Sequence, residues 1–320
     1  MRPFLYSDTP TAPREANTHF LAGGTTLVDL MKLDVERPER VVDLNRASLP
    51  DDLDRIEVTA NGIVFGALVR MADAAEHPEI KSAYPVIAQS LMLAASQQIR
   101  NMATLGGNVL QRTRCAYFRD VSYEACNKRT PGSGCAARVG HNRLHAVLGT
   151  SEACISAYPG DFAQAMIALD AVVETDQRKF AFTDLHQTAS QPHLDTILRP
   201  GEMIRYLSVP AGDFRRSVYL KIRDRESYAF ALSSAAVALQ MAGGQVGDAR
   251  IALGGLAYKP WRATAAEALL KGRVLDEALA QKAADTAFAD AQGLEHNTFK
   301  IETGRQTLIR ALLQAKAMEV

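Results

Sequence analysis

The sequence predicts an α+β protein of two domains, a longer mixed domain followed by a smaller one in which a sheet is backed by helices. Three observations predict it. The chain has 320 residues, and domains run to roughly 150 residues each. Its first two-thirds mix short apolar runs, glycine turns and helical patterns. Past Gly212 strand-like runs come first, and three alanine-rich helical patterns close the chain. The domains are placed at 1–213 and 214–320, the first built from subdomains of about 1–55 and 56–213.

The elements follow in order. Residues 15–34 read as strand, tight turn and helix: His19-Phe20-Leu21-Ala22 is apolar, Gly23-Gly24-Thr25 breaks it, and Leu27, Val28, Leu30, Met31 and Leu33 fall at helical spacing. Arg40 to Leu44 is a second strand, so the first ~50 residues form a small β-α-β unit. Strand at 63–67 and helices at 71–76 and 86–101 follow. Thr104-Leu105-Gly106-Gly107-Asn108 reads as a second glycine turn. Helix at 162–168 and strands at 171–175 and 204–209 complete the first domain. In the second, 218–222 and 229–239 read as paired strands, with helix open for the latter because of its alanines. Gly243-Gly244 is a turn, 250–256 a strand, and 263–271, 275–291 and 303–318 are helical.

Composition narrows function. The chain is 47% apolar and 22% charged, and 36 basic residues balance 36 acidic ones. Zero net charge argues against a nucleic-acid surface working by bulk positive charge. No run approaches the roughly 18 apolar residues of a membrane span. The stretch from Met1 to Asp8 has no apolar signal core.

Two features carry chemistry. In Leu21-Ala22-Gly23-Gly24-Thr25-Thr26-Leu27, glycines let backbone N–H groups face a ligand, and the following helix start suits a pyrophosphate. The pattern is not G-x-G-x-x-G, so a standard nicotinamide unit is not supported. Two such turns, at 23–25 and 104–108, can grip one diphosphate from two sides, with plain strand-to-helix turns as the competing reading. The second feature is cysteine. All four, Cys115, Cys126, Cys135 and Cys154, fall within 40 consecutive residues. Their spacing, C-x10-C-x8-C-x18-C, lacks the paired knuckles of structural zinc sites. Such a wrapping loop suits a four-iron cluster, which needs four thiolates and little else. Zinc, two disulfides and buried free thiols remain open. Lys128 and Arg129 are placed to offset thiolate charge, and His141 and His145 read as polar loop residues or as donors to the ligands.

These strings resemble the FAD-binding medium subunit of the xanthine dehydrogenase family of molybdenum hydroxylases. The resemblance also covers Tyr158-Pro159-Gly160-Asp161, Gly201-Glu202-Met203-Ile204, Lys221, and Arg250-Ile251-Ala252-Leu253-Gly254-Gly255. Between the second glycine turn and the aspartate motif the chain inserts about 45 residues, at about 112–156, which carry all four cysteines. Within that family, Gln111-Arg112-Thr113-Arg114-Cys115, Cys126-Asn127-Lys128-Arg129, Pro131-Gly132-Ser133-Gly134-Cys135, Lys221-Ile222-Arg223-Asp224-Arg225 and Ser227-Tyr228-Ala229-Phe230-Ala231 resemble the bacterial periplasmic aldehyde oxidoreductase type, which carries an extra [4Fe–4S] cluster.

The resemblance implies a two-part FAD-binding region of the PCMH type and a C-terminal flavoprotein domain. It implies that Phe20, Leu21, Ala22, Gly23, Gly24, Thr25, Thr26 and Leu27 wrap the FAD diphosphate and adenosine. Thr104, Gly107 and Asn108 would hold the flavin, Asp161 would accept from ribose or ribityl hydroxyls, Ile204 would offer backbone contact, and Lys221 would lie near the isoalloxazine ring. Tyr228 is a weaker flavin candidate, read first as packing. The four cysteines would ligate the cluster. The implied function is electron transfer in a heterotrimeric molybdenum-dependent aldehyde oxidoreductase, with a large molybdenum-cofactor subunit and a small [2Fe–2S] subunit as partners. Substrate oxidation would occur in a partner, so no catalytic acid, base or nucleophile is assigned here. The implied location is the periplasm, reached as part of an exported complex, and a cytoplasmic complex fits this chain equally well. The medium subunit of another molybdenum hydroxylase or of a hydroxybenzoyl-CoA reductase is the alternative within the class. A metal-stabilised binding or assembly protein without flavin is the alternative outside it.

Overall fold

The computed structural model describes residues 1–9, 17–47, 49 and 52–320. The first two residues of the predicted strand–turn–helix, 15 and 16, lie outside the described residues. In the N-terminal unit, β1 (Leu5–Ser7), β2 (Thr18–Leu21) and β3 (Arg40–Asp43) form a parallel sheet in the order β1-β3-β2, and α1 (Leu27–Lys32) crosses between β2 and β3. Leu30 and Met31 are the buried side of α1, as the helical spacing requires.

The central domain begins with β4 (Ile56–Thr59) and β5 (Gly62–Gly66), continues through α2 (Met71–Glu76), α3 (Pro78–Ala83), α4 (Pro85–Met92), α5 (Gln97–Arg100), α6 (Leu105–Val109), α7 (Ala116–Arg119) and α8 (Phe162–Ala168), and closes with β6 (Val172–Thr175), β7 (Lys179–Ala181) and β8 (Ile204–Pro210). Its strands form an antiparallel sheet in the order β4-β5-β8-β6-β7. Phe65 of β5 meets Phe162 of α8 edge to face, with centroids 6.1 Å apart. Full burial of each such side chain stabilises the fold by about 1.5–3 kcal/mol.

The C-terminal domain is an antiparallel sheet of β9 (Ser217–Ile222), β10 (Ser233–Ala242), β11 (Gln245–Gly254) and β12 (Trp261–Arg262), in the order β12-β11-β10-β9, with α9 (Thr264–Leu270), α10 (Glu277–Ala287) and α11 (Phe299–Ala317). Along β10, Ala235, Val237 and Leu239 join the core shared with the three helices, while Ala236 and Ala238 join the core of the central domain. The strand is buried on both faces, which is why its sequence lacks alternation and left helix open. The turn at Gly243 and Gly244, with φ of +58° and +82°, is the tight two-residue connection that favours glycine at both positions.

Two expectations need correction. The helix expected over 86–101 is two helices, α4 and α5. Ala95 between them takes φ +50°, and Ser96 starts α5 by accepting a hydrogen bond from Ile99 N at 3.3 Å. The glycine turn expected at 104–108 is the short helix α6, with Thr104 as its cap. Its glycines serve closeness rather than turning: a Cβ on Gly106 would press on Ala67.

One buried ion pair gives the domain an acid limit. The Glu202 side chain is fully buried and accepts hydrogen bonds from Arg178, Thr175 Oγ1 and Arg199 N. Burial pushes its carboxyl upward, but Arg178 and the other donors outweigh burial and bring it from 4.5 to about 2. A lowered carboxyl contributes stability above its unfolded pKa and loses it as pH falls through the folded one. Glu202→Gln is therefore expected to lower the thermal midpoint at pH 7, with the difference from wild type shrinking between pH 4.5 and pH 2. Thermal melts across that range check this; a constant difference would contradict it.

Candidate functional site

A pocket of about 530 Å³ opens where the loop entering α1, the α4–α6 stretch and the loop between β9 and β10 meet. Its volume is that of a small-molecule site. The loop before α1 is pinned to the central domain. Asn45 Nδ2 donates to Ala22 O at 2.8 Å, and Arg70 donates to Asn45 Oδ1 at 3.1 Å and to the Met102 carbonyl. Gly23 packs so closely on Met102 and Ala103 that a Cβ there would fall on the Met102 carbonyl. Gly24, at φ +74°, turns its carbonyl to accept from Val28 N at 3.1 Å. Thr25 and Thr26 then face the pocket.

From the other side, Thr104 Oγ1 accepts from Gly107 N at 3.2 Å, so its hydroxyl caps α6. This presents Asn108 to the pocket. Asn108 Nδ2 donates to Met71 Sδ at 3.3 Å, while Oδ1 is buried without a partner. Asp161 also lines the pocket, with Tyr219 OH donating to one oxygen at 2.7 Å and Lys221 Nζ to the other at 2.8 Å. Burial raises the Asp161 carboxyl, and Lys221 and Tyr219 pull against it.

Of the residues singled out from sequence, Thr25, Thr26, Asn108, Asp161 and Tyr228 line this pocket. Leu21, Ala22, Gly23, Gly24 and Leu27 lie in the segment around Thr25 and Thr26. Phe20 packs on the small cluster that includes Val42, Leu53 and Met203. Ile204 opens β8 with its side chain in the core. Lys221 is tied to Asp161 and to Leu93 O, and Gly107 sits against Thr104. Sequence reasoning gave no role to Asp29, Gln111, Arg114 or Arg119, which also line the pocket. The only signal for the arginines was their nearness to Cys115, which Arg114 precedes directly and Arg119 follows by four residues.

All four cysteines line a second, small cavity, with Phe118 and Lys128 beside them. No disulfide joins them. Cys126 and Cys135 face each other across an isolated β-bridge. The loop between them is held by its own backbone: Asn127 N donates to Gly134 O at 2.7 Å, and Cys126 N to Ser133 Oγ at 3.0 Å. Cys135 and Cys154 share a hydrogen bond that raises the first thiol and lowers the second to about 6, against burial. Burial pushes Cys115 up to about 12. His145 Nε2 lies 3.1 Å from Cys115 Sγ, whereas the His141 ring packs at a tilt against His296. Lys128 Nζ is buried, 2.6 Å from Asp195 Oδ1, and its charge helps lower Cys154. Arg129 is tied into the loop. Its guanidinium knots the loop by donating to carbonyls that include Phe118 O at 2.7 Å. Among the described residues, no three His, Cys, Asp or Glu side chains already stand in a metal-holding arrangement.

A three-stranded β-α-β unit and a helix-covered sheet that share one pocket, joined to a second sheet-and-helix domain, make the layout expected of a flavoprotein of this kind. Comparison with known proteins makes the class specific. Residues 9–212 match the FAD binding domain in molybdopterin dehydrogenase, and residues 218–318 match the CO dehydrogenase flavoprotein C-terminal domain. The chain belongs to the FAD-binding medium subunits of the molybdenum hydroxylases. It is 45% identical over 331 aligned residues, covering 99% of both chains, to the aldehyde oxidoreductase FAD-binding subunit PaoB of Escherichia coli strain K12. It is 28% identical to the glyceraldehyde dehydrogenase medium chain of Sulfolobus acidocaldarius, over 82% of this chain and 76% of that one. Its fold is similar to that of a chain in reconstituted CO dehydrogenase from Oligotropha carboxidovorans, with a TM-score of 0.76, 24% identity and 99% coverage of both chains.

Proposed function

We propose that this chain is the FAD-binding electron-transfer subunit of a molybdenum-dependent aldehyde oxidoreductase, and that its cysteine insert holds a [4Fe–4S] cluster. The observation that carries the flavin half is the pocket wall at Asn108, where a buried carbonyl oxygen lacks a donor. A buried acceptor left unpaired costs about 1–3 kcal/mol, and an N–H of a bound ligand removes that cost. Thr25 and Thr26 offer hydroxyls to the same space. Bound FAD would accept electrons singly and release them as a pair. The chain's own residues bind it, orient it through Thr25, Thr26 and Asn108, and hold Asp161 in place through its ion pair with Lys221.

The cluster half rests on the donor set. Four sulfurs face one cavity, and no carboxylate lines it. Thiolates are the ligands of iron–sulfur clusters, and a cube spaces them more widely than a single ion does. The aldehyde reading rests on the similarity to PaoB across the whole chain. With it go a large molybdenum-cofactor subunit, a small [2Fe–2S] subunit, and export of the assembled complex to the periplasm. An affinity tag on this chain is expected to bring down both partners, with molybdenum and iron in the eluate. Recovery of this chain alone, without either metal, would contradict the assembly.

A further inference from the structure

Arg114 and Arg119 come from the cysteine insert, yet both reach the flavin pocket. Each donates to the same oxygen of Asp29, at 3.1 Å from Arg114 and 2.8 Å from Arg119. Asp29 lies three residues beyond Thr26 and lines the same pocket. A carboxylate beside the wall expected to take the FAD diphosphate is an electrostatic fault, because like charges in a partly desolvated site repel. Two guanidinium groups against one carboxylate correct the fault and leave one net positive charge. The Arg114 guanidinium stacks 4.8 Å over the Phe230 ring, and its Nε is buried without a partner. The other acid in the pocket, Asp161, is already answered by Lys221.

We infer that Arg114 and Arg119 are positioning residues for FAD, neutralising Asp29 and presenting the remaining positive charge to the diphosphate. The insert is then part of the dinucleotide site as well as the carrier of the cysteines. This rests on the FAD reading. The geometry allows a rival account, in which the arginines merely lock the insert to α1, and removing the charge on each side in turn separates the two. A lock needs Asp29; a neutralised charge does not.

The test uses the full chain with its co-purified partners, freed of flavin, in four forms: wild type, Arg114→Gln with Arg119→Gln, Asp29→Asn, and all three substitutions together. Binding of FAD, ADP and riboflavin is measured for each. Removing the two arginines should weaken FAD and ADP by at least about tenfold, the scale of one lost charge-assisted contact, and leave riboflavin unchanged. Asp29→Asn alone should bind FAD as wild type does or more tightly, and in the triple variant it should restore part of the loss. Arg119→Lys, which keeps the charge, should bind FAD nearly as wild type does and covers the case in which the double variant fails to fold. The inference is overturned if Asp29→Asn weakens FAD as much as the arginine pair does, if the triple variant is no better than the double, or if riboflavin falls along with ADP. A wild-type chain that binds neither FAD nor ADP would instead overturn the FAD reading itself.

Discussion

Gly23→Val is expected to yield a chain that purifies with less than about a tenth of the wild-type FAD. Even the first side-chain carbon would meet the Met102 carbonyl carbon at 2.8 Å, and Ala103 Cα lies just behind. Both are backbone, so neither can swing aside. The Met102 carbonyl is also held by Arg70, which reaches through Asn45 to Ala22. The added volume must therefore push the β-α-β unit away from α5 and α6, and these are the two walls of the pocket. Overpacking of this kind costs about 1–3 kcal/mol, and tenfold in affinity corresponds to about 1.4 kcal/mol. Flavin absorbance per chain measures the outcome. Full occupancy would show that the two walls are not in the contact described.

Cys126→Ser is expected to remove the iron and spare the flavin. A serine oxygen is a poor substitute for thiolate at iron, which favours soft sulfur ligands in such clusters. The loop from 127 to 134 keeps its shape because backbone groups and Ser133 hold it. Arg114 and Arg119 remain tied to Asp29 rather than to the cysteines. Iron should fall by about four per chain, the content of one cube, with FAD unchanged. Unchanged iron would remove Cys126 from the ligand set.

The α+β layout was legible because local patterns carry it: the apolar spacing of α1, the runs of β5 and β8, and the paired glycines at 243 and 244. Strands β1, β4, β7 and β12 went unread. They are two to four residues long, and partners distant in sequence decide whether such segments pair. The second glycine segment misled because Gly106-Gly107 looks like a turn when Gly106 allows α6 to approach the Ala67 backbone closely. The split between α4 and α5 turns on Ala95 in a left-handed conformation, and nothing in alanine announces one. At the site, Thr25, Thr26, Asn108 and Asp161 were recognised from strings that carry them. Arg114 and Arg119 were not given a role, because their partner Asp29 lies 85 and 90 residues away. A pairing that distant leaves no trace in local sequence. Arg129, read as an offset to thiolate charge, is tied to carbonyls whose positions are set by how the loop closes.

The central claim is that one chain holds a flavin in the pocket between its two walls and an iron–sulfur cube among Cys115, Cys126, Cys135 and Cys154. Quantifying flavin, iron and acid-labile sulfide in the chain purified without oxygen tests it most directly. The account predicts about one FAD with about four iron and four sulfide per chain, and a flavin spectrum on a broad thiolate-to-iron shoulder. A colourless chain containing zinc, or none of these, would contradict it.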